Sequence, residues 1–389
     1  MHDETFGSGI YLPEIHDTVF DRAEGEHRFE FNGNARDYFR IWIVNVALSI
    51  VTLGIYSAWA SVRTRRYMYA NTLFEGSPFE YLARPIPILR GRLIAAALFA
   101  TYITASHFSR TLQLVTMAVI GVFMPWMIVK GLMFRARYSA WRGLHFRFIA
   151  DYGGAYQWYL MVYILMAIPL VLSGFLAAGG HPFTGLLLFL AGFFLFYPWL
   201  KGNQQQWMAE HHYFGGKSFR FTRDPSAYYR IYGAALGIGM LCMIPSGILL
   251  GLLFGAMVKG HIDPRQHSIP VVLATYLCIA PTYLILWTYV HVRMTNALYN
   301  QASLGRYQFE SSLRFGPMLS IYLGNVVAIL FTLGLAIPWA KIRIARYRAS
   351  CLHVAGDGQL EEFTQRTSGA DVTATGTEID SLLGFDIGL

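Results

Sequence analysis

The chain is a succession of apolar runs separated by polar, mostly basic segments. Leu93–His107, Leu112–Val129, Tyr156–Ala178, Phe183–Leu200, Ile231–Val258 and Ser268–Val290 contain no Asp, Glu, Lys or Arg, and neither do Ile41–Ala60 and Met318–Pro338. A hydrocarbon core of about 30 Å takes about 20 helical residues to cross, so runs of this order predict membrane helices. The last two runs belong to an internal repeat: Ile41–Tyr67 recurs 280 positions later as Ile321–Tyr347. The match pairs Asn45 with Asn325, Thr52-Leu53-Gly54 with Thr332-Leu333-Gly334, and Trp59-Ala60 with Trp339-Ala340, then Arg63, Arg66 and Tyr67 with Arg343, Arg346 and Tyr347.

A finer period runs through the chain. Aromatic-x-aromatic pairs occur at Phe29/Phe31, Phe79/Tyr81, Phe146/Phe148, Phe219/Phe221 and Tyr307/Phe309, and a Trp closes an apolar run at Trp59, Trp126, Trp199, Trp287 and Trp339. The first four Trp residues each precede an aromatic pair by 20 positions. Such spacing predicts five related units. Pairs alternating at period 2 predict short strands, and Gly76, Gly143, Gly215-Gly216 and Gly305 before them suit hairpin turns.

Charge orients the scheme. Ser61–Arg92, Lys130–Ala155, Lys201–Arg230 and His291–Pro317 hold 6, 5, 5 and 3 Lys or Arg, whereas the alternate loops Phe108–Thr111, Gly179–Pro182 and Lys259–His267 hold 1, 0 and 2. Basic loops stay in the cytoplasm. If all strands and basic helices are cytoplasmic, each unit crosses the membrane an even number of times. The three middle units have room for two spans. The first and last have only about 20 apolar residues, and two legs of about 10 residues reach about 15 Å, half the core. These two units are therefore expected to be re-entrant hairpins broken near Gly54 and Gly334. The other reading is a single tilted span in each, eight in all.

Composition agrees with a membrane protein: 54% of residues are apolar and 14% charged, against about 25% charged in soluble chains. The net charge of +8 raises nucleic acid as a partner, but basic segments interleaved with apolar runs of spanning length argue against it. Cys242, Cys278 and Cys351 are scattered and form neither a disulfide framework nor a metal motif. Met1–Glu26 is acidic without an apolar core, so it predicts no secretory signal. Three regions follow: an acidic segment over 1–28, a repeated-unit membrane domain over 29–355, and a cytoplasmic tail over 356–389 with a docking peptide at Asp380–Asp386.

Candidate chemistry is sparse. Asn45, Thr52, Asn325 and Thr332 are polar at membrane depth, and paired broken segments mark substrate paths in transporters. They line a shared cavity on one reading and tie hairpin legs together on the other. Arg63, Arg65, Arg66, Tyr67, Arg135, Arg137, Arg343, Arg346 and Arg348 form basic, aromatic helices that attract anionic head groups at about 1 kcal/mol each; the plainer reading is anchoring. No span holds an ionisable group, which argues against ion coupling. Glu210-His211-His212 is the single acid/His cluster, and helical neighbours diverge too far to share a metal. No phosphate loop, nucleophile elbow or metalloprotease motif appears, so the chain is not expected to be an enzyme or to carry a cofactor.

Phe31-Asn-Gly33, Tyr38-Phe39, Ile41-Trp42-Ile43-Val44-Asn45, Thr52–Trp59, Arg63-Thr-Arg-Arg-Tyr67 and Asn71-Thr72 together resemble the YjgN family, bacterial multi-pass inner-membrane proteins defined as a domain of unknown function. The resemblance covers residues 28–355 and implies inner-membrane residence. It brings no catalytic residue or substrate. It also implies a membrane-associated metallopeptidase as partner. The expectation is an all-α polytopic protein of about six transmembrane helices plus two re-entrant hairpins, or eight spans, with a small cytoplasmic β-strand layer. Two functions fit: a passive transporter, channel or lipid-handling protein with its path between the repeated hairpins, or a non-catalytic scaffold whose basic face binds anionic lipid or a partner protein.

Overall fold

One motif, strand–helix–helix–strand, occurs five times. The computed structural model describes residues 26–259 and 268–356; the acidic segment before residue 26, the tail with its docking peptide and most of the Lys259–His267 loop lie outside the described residues. The first unit is β1 (Glu26–Phe31), α1 (Ala35–Val51), α2 (Ser57–Ala70) and β2 (Thr72–Phe74). The second is β3 (Ser77–Tyr81), α3 (Pro85–Phe108), α4 (Arg110–Arg137) and β4 (Ser139–Trp141). The third comprises β5 (Leu144–Phe148), α5 (Tyr152–Ala178), α6 (Pro182–Glu210) and β6 (His212–Phe214). The fourth comprises β7 (Lys217–Phe221), α7 (Pro225–Val258), α8 (Ser268–Asn300) and β8 (Ala302–Leu304). The fifth comprises β9 (Tyr307–Ser311), α9 (Phe315–Phe331), α10 (Ile337–Ser350) and β10 (Leu352–Ala355).

The strands do not form the expected layer. All ten close into an antiparallel barrel, with β1 paired to β10 through Glu26↔Ala355, His27↔Val354 and Arg28↔His353. The aromatic pairs mark only the first strand of each unit; the three-residue strand that ends each of the first four units is too short to carry a period. Consecutive units join through two-residue turns. Glu75-Gly76 and Arg142-Gly143 have φ of 48°/68° and 49°/76°, the mirror-image conformation that matches strand twist and favours glycine.

Positions i and i+2 of a strand share a face, so both members of each pair point into the barrel, at different depths. Phe29, Phe79, Phe146, Phe219 and Phe309 pack on an interior cluster of Phe74, Trp141, Leu144, Phe214, Leu304, Tyr307 and Val354. Phe29 stacks on Phe74 at 4.5 Å between centroids and Phe146 lies 4.6 Å from Phe214. The barrel is thus filled by an aromatic plug. Phe309, not Tyr307, is the equivalent of Phe79, so the fifth pair of the sequence pattern is displaced by two residues. Trp287 is displaced likewise: the fully buried Ala58, Pro125, Pro198, Thr288 and Pro338 occupy one position, and the residue after Thr288 is Tyr289.

The helices form a matching ring, each packing on its chain neighbours while α1 packs on α10. Six of them, in the second to fourth units, are long and apolar enough to cross a membrane, and most of their apolar surface is uncovered by protein. In the first and fifth units the chain turns back at Leu53-Gly54 (φ 50°, 90°) and Leu333-Gly334 (φ 49°, 93°), so both ends of each hairpin meet the barrel. The legs are 17 and 14 residues long in each, longer than the expected 10, because the polar flanks continue the same helices. Thr52 and Thr332 serve the turns: each Oγ1 donates four residues back, to Leu48 O at 2.7 Å and Ala328 O at 2.6 Å, and accepts from Tyr56 N and Ala336 N at 2.9 Å.

Candidate functional site: a cationic chamber beneath the aromatic plug

Where the barrel meets the helix ring, all five units contribute to a chamber of about 650 Å³. Its upper wall is the plug, with Phe29, Phe79 and Phe146; its floor carries Arg135 from α4 and Arg348 from α10. These two arginines occupy one structural position, four residues before the second strand of the unit, where the other units have Met68, Met208 and Leu298. No acidic side chain among the described residues lines the chamber. Among the described residues, no carboxylate lies within ion-pair distance of either guanidinium.

The chamber's serine and threonine hydroxyls donate away from it. Thr72 donates to Met68 O at 2.9 Å, Ser139 to Arg135 O at 2.8 Å, Thr295 to His291 O at 2.7 Å and Ser311 to Asn296 Oδ1 at 2.8 Å. His212 sits beside them with Nδ1 2.6 Å from Met208 O. A carbonyl accepts only, so Nδ1 carries the proton and Nε2 is the acceptor. Desolvation, reinforced by His211 and Arg135, pushes its pKa below the ordinary histidine value, so the ring is neutral at neutral pH. The chamber therefore combines two positive charges, an apolar ceiling and, among the described residues, no counter-charge.

The other sequence candidates are distributed differently. Arg66 donates to Ala83 O and Arg346 to Gly33 O, both at 3.2 Å, bonding one unit to the next. Tyr67 closes the first unit by accepting from Asn34 N and donating to Asn34 O, each at 2.8 Å. Arg343 lies 5.2 Å from the Trp339 ring, and Arg63 and Arg137 are exposed, as are Arg135 and Arg348 where they line the chamber. Asn45 and Asn325 are buried and hold hairpin legs, donating to Ala60 O at 3.5 Å and Ala340 O at 3.4 Å. Asn45 also lines a groove with Arg65, but that groove does not include Asn325, Thr52 or Thr332. Of the acid/His cluster, His211 Nε2 faces Asp151 Oδ2 at 3.4 Å and Glu210 accepts from Gln206; no group able to hold a metal occurs among the described residues.

Residues 26–382 match the family described as "Bacterial protein of unknown function (DUF898)". The chain belongs to this family. It is 27% identical over 376 residues to the inner membrane protein YjgN of Salmonella typhimurium, covering 90% of this chain and 94% of that one. It is 26% identical over 367 residues to the inner membrane protein YjgN of Escherichia coli K12, covering 85% and 89%. No solved structure matches. As a DUF898 member with six helices of spanning length, it is an integral inner-membrane protein.

Sequence reasoning reached Arg135 and Arg348 as surface anchors, without their chamber. It missed His212 as a wall residue and assigned Arg92 to a loop, whereas Arg92 lies on α3. The available signal was positional: once the five units are aligned on their strands, Arg135 and Arg348 stand where the others are apolar.

Proposed function

We propose that this inner-membrane protein handles lipid, taking the head group of an anionic amphiphile into the chamber beneath the barrel. The observation that carries the reading is the pair Arg135 and Arg348, with no carboxylate beside them among the described residues, in a chamber whose other walls are largely apolar. A phosphodiester accepts hydrogen bonds from both guanidinium groups and offsets part of their charge, while the uncovered apolar faces of the surrounding helices suit acyl chains. The aromatic plug argues against a hydrophilic solute passing along the barrel axis. In this reading the barrel and the basic loops face the cytoplasm, following the charge asymmetry, and the first and fifth hairpins re-enter the bilayer. The 94% exposure of Leu53 and Leu333 at the hairpin tips supports that placement, since water disfavours apolar side chains so exposed and the turn N–H groups are bonded within each hairpin, Gly54 N to Ser49 O and Gly334 N to Ile329 O.

The test is the lipid retained by the full chain extracted in polymer-bounded native discs. Anionic phospholipid should be enriched over the bulk membrane, and Arg135→Gln/Arg348→Gln should abolish the enrichment. Equal enrichment in parent and variant would sink the reading and favour a scaffold that uses cations outside the chamber, Arg63 and Arg137, instead.

A further inference from the structure

A second cationic site lies beside the first hairpin and shares no residue with the chamber. Residues of α1, α2, α3 and α10 line a groove of about 500 Å³ that contains Arg65, Arg92 and Lys341 and, among the described residues, no acidic side chain. Each cation is held by a neutral partner. Arg92 donates to Ser57 Oγ and, at 2.6 Å, to Ser61 Oγ, one turn apart on α2. Arg65 donates to Tyr81 OH at 2.8 Å, and Lys341 Nζ to Tyr38 OH at 3.4 Å. Among the described residues no carboxylate is within ion-pair distance of any of the three. Arg65 and Arg92 are near enough for their like charges to act on each other. Like charges fixed together and partly desolvated favour an anion between them. Neutral tethers hold the geometry and leave the charge for a ligand.

The comparison among units points the same way. Arg92 is the eighth residue of α3; the eighth residues of α1, α5, α7 and α9 are Trp42, Tyr159, Tyr232 and Tyr322. An aromatic ring therefore meets the packing need at this position, and arginine there answers another demand. At the position of Arg65 the other units have Leu132, Gln205, Thr295 and Ala345. The groove also has an apolar side: Trp42, Val46 and Ile50 are spaced one turn apart on α1, a continuous stripe along the helix, and Ile50 is exposed.

We propose that this groove binds the phosphate of a glycerophospholipid of net negative charge, with one acyl chain along Trp42, Val46 and Ile50. A zwitterionic lipid would place its ammonium against three cations and should bind less well. The proposal does not rest on the chamber reading, and either can fail alone.

Phosphatidylglycerol with brominated acyl chains, titrated into phosphatidylcholine nanodiscs holding the full chain, reads occupancy through quenching of Trp42. The Trp42 signal is isolated as the difference between parent and Trp42→Phe. Arg92→Tyr, which installs the residue of three other units, and Lys341→Ser, which installs the residue of the first unit, should each weaken the quenching titration about fivefold. Brominated phosphatidylcholine should show no such dependence. Should Arg92→Tyr fail to fold, Lys341→Ser carries the comparison. Equal quenching by both lipids in the parent, or unchanged titrations in folded variants, would overturn the proposal. Relief of quenching by millimolar inorganic phosphate would also overturn it, by assigning the groove to a soluble anion.

Discussion

The Arg346 guanidinium donates to Gly33 O at 3.2 Å, so α10 grips the loop that opens α1. Arg66 does the same to Ala83 O at 3.2 Å, and Asn296 Nδ2 to Leu313 O at 2.9 Å. Three of the five joints between units thus use one device at one position. A hydrogen bond from a charged donor contributes about 1.5–3 kcal/mol. Arg346→Met should therefore lower thermal stability by that order and speed amide exchange in β1 and β10 before other strands. Uniform exchange across the barrel would show that the tether does not act locally. Gly33→Ala should be worse, because a Cβ there would stand 2.5 Å from the Phe31 ring.

The hairpin turns offer a matched pair of tests. Thr52 and Thr332 accept the first free N–H of the returning helix. Replacing each by Val should cost about 1 kcal/mol, the usual value of a lost cap, whereas Ser should restore most of it. The effects of the two sites should add, since the turns share no partner. A thermal-denaturation series in detergent over the single and double variants gives the answer; strong non-additivity would mean that the turns are coupled.

Asp151 caps α5 by accepting from Gly154 N at 2.9 Å and ties α6 by accepting from Trp207 Nε1 at 2.9 Å. The Gly154 N–H is the main reason its carboxyl lies below the usual value, with Trp207 and His211 adding to it against desolvation. A depressed acid favours the ionised folded state, so this stability is present above the ordinary carboxylate value of about 3.9 and is lost as pH falls through the lower folded value. Asp151→Asn should flatten the acid limb of a stability–pH curve. An unchanged limb would exclude Asp151 as its source.

His212 titrates in the opposite chemical sense with the same sign. Burial disfavours its cation, so the folded chain resists a proton that the unfolded chain accepts near 6.5. Its stabilising contribution is full above that value and is lost as pH falls through the lower folded pKa. Once protonated, it adds a third charge to Arg135 and Arg348. Retention of anionic lipid by the chamber should then rise on acidification, and His212→Gln should remove the rise. A pH-independent retention in the parent would refute this.

Much of the architecture was legible because it is written in long apolar runs and in aromatic pairs at period 2. The six spanning helices, the turns at Gly54 and Gly334 and the inward Phe29, Phe79, Phe146 and Phe219 all follow from those signals. Closure of the barrel was not legible: β2, β4, β6 and β8 are three residues each, and pairing of β1 with β10 joins residues more than 300 positions apart in the sequence. The candidate sites were legible only as charges. Arg65, Arg135 and Arg348 look alike along the chain, and only packing sends them to a groove or a chamber while Arg66 and Arg346 become tethers.

Pairing of β1 with β10 also orders the protein's biosynthesis. Each hairpin of helices returns to the strand next to its own start, so the first four units can insert and zip in turn as they leave the ribosome. The first strand, however, must wait with an open edge until Leu352–Ala355 has been made. A nascent chain stopped before that point presents an unpaired edge beside a half-formed aromatic plug, the sort of surface on which quality-control proteases act. Completion of β10 is thus the step that closes the open edge of a growing chain into a ring.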